Sequence, residues 1–176
     1  MSELSKGAGK TVRLTERRVF SASFKPLYDE GMALVERTAQ YLDGEGRLAA
    51  KGLSRPAATL YAAESMRLTT RLMQVASWLL LQRAANAGEM TREQVASEKS
   101  KVRLDTPSAL DDTPEWAELP AQFRQLVDQS MRLQTRVRGM DDEVYGAPEA
   151  ETPQSKRRSN PVSDQISLLK TAFGRS

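Results

Sequence analysis

The sequence predicts an all-α fold. It reads as a three-helix bundle with room for one short extra helix, set between disordered N- and C-terminal tails. Three observations carry this. The run from Tyr61 to Gln82, YAAESMRLTTRLMQVASWLLLQ, holds no Gly and no Pro, and its side chains fall into two adjacent stripes at helical spacing. A second run, Leu119, Phe123, Leu126, Ser130, Leu133, Val137, Met140, Val144, keeps a 3-4 alternation over its whole length. Glycines punctuate the chain where helices should stop, at Asp43-Gly44-Glu45-Gly46 and at Gly88.

Each element follows in turn. Residues 1–22 are rich in Ser, Lys, Arg and Gly, have little periodicity and are expected to be a disordered basic tail. The bundle should occupy residues 23–145. Its first helix spans about Phe24 to Leu42, with Pro26 in the first turn, where its missing N–H costs nothing. Phe24, Tyr28, Val35 and Leu42 form one stripe, with Leu27, Leu34 and Tyr41 beside it. A loop then runs to Leu53. Ser54 is the N-cap of the second helix, Pro56 lies in its first turn, and Gly88 closes it after Ala87. That helix is roughly 48 Å long at 1.5 Å per residue. Thr91 and Gln94 have capping-box spacing and start a short helix over 92–104. Residues 105–118 hold two prolines and five acids and read as a loop. The third long helix spans Leu119-Pro120 to Val144, with Asp128 placed to pair with Arg124 or Arg132. Residues 146–176 read as a flexible linker ending in a short apolar motif.

In the second helix the stripes are Tyr61, Ser65, Leu68, Leu72, Val75, Leu79 and Ala62, Met66, Thr69, Met73, Ala76, Leu80. Both are assigned to the core, with Met66 and Met73 as adaptable filling. The face left over carries Arg67, Arg71, Gln74 and Trp78, with Leu81 at its edge. Two readings of this face stand. Trp78 covers the short helix or a loop while the arginines pair with acids, or the patch is a partner interface, since Trp and Arg are enriched at hot spots. The tail residues Ile166, Leu168, Leu169 and Phe173 likewise either fold back on the bundle or form a docking peptide on a tether.

Composition narrows function. The 176 residues include no Cys and no His, which removes thiol nucleophiles, imidazole acid–base chemistry and the usual zinc ligands. No GxSxG, P-loop or dinucleotide turn is present. The acids Asp111, Asp112, Glu115 and Glu118 match no EF-hand order. No enzyme activity, cofactor or metal is expected. The net charge of +3 divides unevenly: residues 1–25 carry +4, residues 146–176 carry +2 and the body carries −3. Basic tails alone give no specific nucleic-acid site, although they motivate an alternative reading as a DNA- or nucleoid-associated regulator. No apolar run reaches membrane-spanning length and the start lacks a secretory h-region, so the chain is expected in the cytoplasm.

The segment YAAESMRLTTRLMQVASWLLLQRA, followed by GEM and SEKSKVRL, resembles the alphaproteobacterial RcdA family, named for regulation of CtrA degradation. FKPLYDEGMALVERTAQYLDGEGR is similar to that family's first helix. The resemblance covers about residues 20–105 well and the third long helix more loosely. It implies a dimeric three-helix bundle acting as a non-enzymatic adaptor, which delivers cell-cycle regulators to the ClpXP protease together with a CpdR-like response regulator. The family has no catalytic motif to transfer, so the binding residues named above rest on the pattern of this chain alone.

Overall fold

The computed structural model describes residues 6–108 and 113–146, with the backbone alone for residues 6–21 and for Arg92. Six helices are present among them: α1 Lys6–Asp43, α2 Glu45–Ala50, α3 Arg55–Ala87, α4 Arg92–Lys99, α5 Pro114–Glu118 and α6 Ala121–Tyr145. The chain divides into two units, Met1–Val144 and Tyr145–Ser176. Only Tyr145 and Gly146 of the second are described, so the tail motif Ile166, Leu168, Leu169, Phe173 lies outside the described residues.

The long helices α1, α3 and α6 form the bundle. In α1 the buried line is Phe24, Leu27, Gly31, Leu34, Thr38, Tyr41, a 3-4 repeat that leaves Tyr28, Val35 and Leu42 half-buried at its border. In α6 it is Phe123, Leu126, Ser130, Leu133, Val137, continuing from Leu119. Aromatic contacts tie the three together at one end, where the Tyr61 and Phe123 ring centroids lie 4.4 Å apart and those of Tyr41 and Phe123 lie 6.3 Å apart. Phe24 meets Trp78 at 6.4 Å at the other.

These pairings fix the directions. Glu30 bonds Arg136 and Arg37 bonds Gln129, so α1 and α6 are antiparallel. Arg71 bonds Ser130 and Trp78 bonds Asp141, so α3 and α6 run parallel. Parallel neighbours cannot be joined by a tight turn. The chain must travel back along α3, and residues 88–120 make that return.

The ends of α3 are set by local chemistry. Ser54 Oγ accepts from the Ala57 amide at 3.3 Å and also donates to Glu118 at 2.7 Å, which ties α5 to the start of α3. Gly88 closes the helix at φ +75°, a conformation that penalises any Cβ. Thr91 and Gln94 form a complete capping box at α4.

Four boundaries differ from the sequence expectation. The α1 backbone is helical from Lys6, not from Phe24: Thr11–Ser23 contains no Gly or Pro to stop it, and the helix continues back through Gly7 and Gly9. Pro26 therefore sits inside α1, where it removes one helical hydrogen bond. The expected loop before Leu53 contains α2, packed so closely at Gly46 that a Cβ there would lie 2.5 Å from Tyr41 Cε1. Helix α4 stops at Lys99 rather than residue 104, and the expected acidic loop contains α5.

Candidate functional site

Three sides of α3 are covered: by α1, by α6 and by the returning segment Ser100–Ser108. Its buried residues include Glu64, Arg71 and Trp78, at successive sevens along one line. Of the face read from sequence as a candidate partner surface, Arg71 and Trp78 lie on this line and are interior, whereas Arg67, Gln74 and Leu81 are half-buried.

Arg71 is fully buried. Its Nη1 donates to Ser130 Oγ at 2.6 Å, its Nε to the Thr106 carbonyl at 3.3 Å, and its Nη2 to Glu64 Oε1 at 3.4 Å and the Pro107 carbonyl at 3.0 Å. A guanidinium has five N–H donors, so four are committed to the fold. Burial pulls the Arg71 pKa below its ordinary value, and the neighbouring Glu64 carboxylate opposes that pull. Glu64 also accepts from Ser108 at 2.7 Å and from Arg67 at 3.3 Å. Gln74 accepts from Thr106 Oγ1 at 2.7 Å, and Gln134 donates to the Thr106 carbonyl at 3.3 Å. The network pins an extended strap across the seam of α3 and α6. A buried charge pair of this kind adds little net stability, but breaking it is costly.

Trp78 is 2% exposed. Its indole N–H donates to Asp141 at 2.7 Å, and Asp141 pairs with Lys99 at 2.9 Å. The indole thus lies beneath the end of α4 and the strap, lining a cavity of about 240 Å³ with Val102 and Leu104. Arg67 and Gln74 are partly exposed and Leu81 is half-buried. The arginines pair with an acid and Trp78 is covered, so the structure favours the first of the two sequence readings. Arg71 and Trp78 are withdrawn as partner contacts.

The open face of α3 is the other stripe. Met66 is 73% exposed, Met73 65% and Leu80 50%. This corrects their assignment to the core. Ala62, Thr69, Thr70 and Ser77 are exposed beside them, and none of the residues on this strip is charged. Over residues 62–80 it extends about 27 Å. Scattered apolar surface residues are ordinary, but a continuous uncharged strip on a chain that is 28% charged is not. The strip was legible as a stripe in the sequence. Its direction was not, because a helix with one polar line and two apolar lines looks inside-out when the polar line is a satisfied core network.

Among the described residues no group of three or more Asp or Glu could hold a metal ion, and no helix is long and apolar enough to cross a membrane. The buried Glu64, Arg71 and Ser130 are committed to one another, whereas the Thr38, Tyr41 and Tyr61 hydroxyls are buried without a hydrogen-bond partner. What the arrangement offers is surface.

Residues 15–173 match the model of a family described as "Protein of unknown function (DUF1465)". The crystal structure of RcdA from Caulobacter crescentus CB15 is similar at 48% sequence identity and a TM-score of 0.57, covering 69% of this chain and 90% of that one. No curated protein matches the chain.

Proposed function

The chain belongs to the RcdA family, and from that premise we propose that it is a non-enzymatic adaptor in regulated proteolysis. It holds cell-cycle regulators, such as CtrA-type transcription factors, against a ClpXP protease primed by a CpdR-like response regulator. Tethering suffices for such a role. A second binding event made intramolecular proceeds at an effective concentration near millimolar for a short flexible linker. In this reading the tail motif Ile166, Leu168, Leu169, Phe173 is the tethered docking element, and the chain works in the cytoplasm.

The observation that carries the reading is the uncharged strip on α3. We assign it to a second copy of the chain. Its stripe alternates small and large: Ala62, Met66, Thr69, Met73, Ala76, Leu80. An antiparallel pair about a two-fold near position 71 sets Ala62 against Leu80, Met66 against Ala76 and Thr69 against Met73. Every layer then matches a large side chain with a small one, the self-complementarity an isologous interface requires. The strip has no charge to repel its copy.

The test is reconstitution. Degradation of a CtrA-type regulator by ClpXP and the CpdR-like protein should accelerate when this protein is added. No acceleration with any regulator tried would sink the adaptor reading.

A further inference from the structure

The buried line of α1 has a continuation outside the bundle. From Tyr41 it passes through Thr38, Leu34, Gly31 and Leu27 to Phe24, all buried, in alternating steps of three and four residues. Continued in the same steps it reaches Phe20, Arg17, Arg13, Lys10 and Lys6. The backbone is helical throughout, so these positions share one face. One aromatic residue and then four successive cations follow the buried six. At 3.6 residues per turn the four cations fall within about 60° of one another, along about 16 Å of helix.

Helix lengths explain where the line changes. Phe24 lies against Trp78, and α3 runs nine residues beyond Trp78 to Ala87, about 13 Å. Helix α6 runs four residues beyond Asp141, the partner of Trp78. Helix α1 runs eighteen residues back from Phe24 to Lys6, about 27 Å. Its first turns outrun both neighbours, so no apolar residue is required there. That permits any polar residue, but it does not call for four cations in succession. Off the line, residues 6–22 carry one further cation, Arg18, and one acid, Glu16, three residues from Arg13. Five cations less one acid leave +4 on this segment, against −3 on the body.

A polyanion of evenly repeated charge matches such a line. Duplex DNA carries one negative charge per about 1.7 Å of its axis, so four cations along about 16 Å can each meet a phosphate. The body, with its negative charge, repels the same duplex, and a helix that outruns the body carries the cations past it. A bilayer is the poorer match. The side opposite the cations holds Ala8, Val12, Thr15 and Val19, without the Trp, Phe or Leu that seat a helix in the interface. A protein partner calls for an apolar anchor among the charges, and the line has none between Lys6 and Arg17.

We propose that the N-terminal extension of α1 binds the phosphate backbone of duplex DNA through Lys6, Lys10, Arg13 and Arg17, without regard to base sequence. The proposal is independent of the adaptor reading.

The test needs no protease. The full-length chain is titrated into a fluorescein-labelled duplex of about 20 base pairs, and anisotropy is followed between about 50 and 150 mM salt. Four phosphate contacts predict a slope of about −3.6 in log K against log salt, so affinity should fall about fiftyfold across that range. Arg17→Gln should reduce the slope by about 1 and weaken binding about tenfold at the lower salt. Arg18→Gln removes the same charge from the adjacent residue, about 110° round the helix from the line, and should leave both nearly unchanged. Both variants should keep the wild-type helicity, since Arg and Gln have similar helix propensity. Equal losses from the two would reduce the binding to net charge and overturn the proposal. Undiminished binding by the double variant Arg13→Gln with Arg17→Gln would move it to Lys156, Arg157 and Arg158 and overturn it too, as would no binding at the lower salt. Phosphatidylglycerol vesicles or polyglutamate bound more tightly than the duplex would assign the face to a membrane or to an acidic protein and contradict it. Failed delivery in the degradation assay, with the DNA results as expected, would count against the adaptor reading and leave this one standing.

Discussion

Arg71 Nη2 lies 3.4 Å from Glu64 Oε1, and neither side chain has any exposure to solvent. The pair sits one heptad apart on α3 and holds the strap through Pro107 and Ser108. Removing Arg71 leaves the buried Glu64 carboxylate with only the partly exposed Arg67 as a cation, and strips Ser130 and the Thr106 and Pro107 carbonyls of their donor. Arg71→Met is therefore expected to cost about 3–5 kcal/mol in denaturant unfolding. The double variant Arg71→Met with Glu64→Leu should cost less than the single one, because no buried carboxylate is left with a weakened set of partners. A double variant less stable than Arg71→Met would contradict the coupling.

Trp78 supplies a second test of what is interior. Trp78→Ala should lose about 3–5 kcal/mol, chiefly from the cavity it leaves. Trp78→Phe keeps most of the volume but strips Asp141 of its indole donor, leaving the ion pair to Lys99. It should lower the melting temperature by several degrees while leaving delivery to ClpXP unchanged. Normal stability with impaired delivery would restore Trp78 as a partner contact.

How far the sequence carries can be judged from these residues. Ser54, Gly88 and the Thr91–Gln94 box are visible because capping is local: a hydroxyl, a missing Cβ or a paired amide acts within a few residues. The 3-4 repeats give the bundle for the same reason. Which side of α3 faces inward is not local. It depends on α6 bringing Ser130 to Arg71, and on a strap whose backbone carbonyls are 35 and 36 residues away. Hydropathy alone places Met66 inside and Arg71 outside. The one sequence sign to the contrary was Trp78 standing in line with Arg71 and Gln74, out of place on a purely solvated face.

Tyr41 predicts a pH dependence. Burial, helped by Tyr61 and Glu45, pushes its hydroxyl up to about 12 from 10.0. A raised native value means that the unfolded chain loses this proton first as pH rises. Stability from this group is complete below pH 10 and falls between pH 10 and 12, by an amount on the order of 2 kcal/mol. Chemical denaturation across that range should show the fall, and Tyr41→Phe should reduce it. An unchanged slope in Tyr41→Phe would assign the fall to other groups.

Deletion of residues 160–176 is expected to weaken cargo delivery and leave helicity intact. Circular dichroism and the reconstituted degradation assay read the two outcomes separately. Unchanged delivery would remove the tail as a docking element.

The strip on α3 carries the central claim, and its mass in solution tests it most directly. Sedimentation equilibrium at micromolar concentration should give a dimer for the native chain and a monomer for Met73→Glu, whose charges would face each other near the two-fold. Met73 is 65% exposed in the single chain, so the monomer should keep the native helicity. A native chain that stays monomeric, or a Met73→Glu variant that stays dimeric, would contradict the assignment of this face.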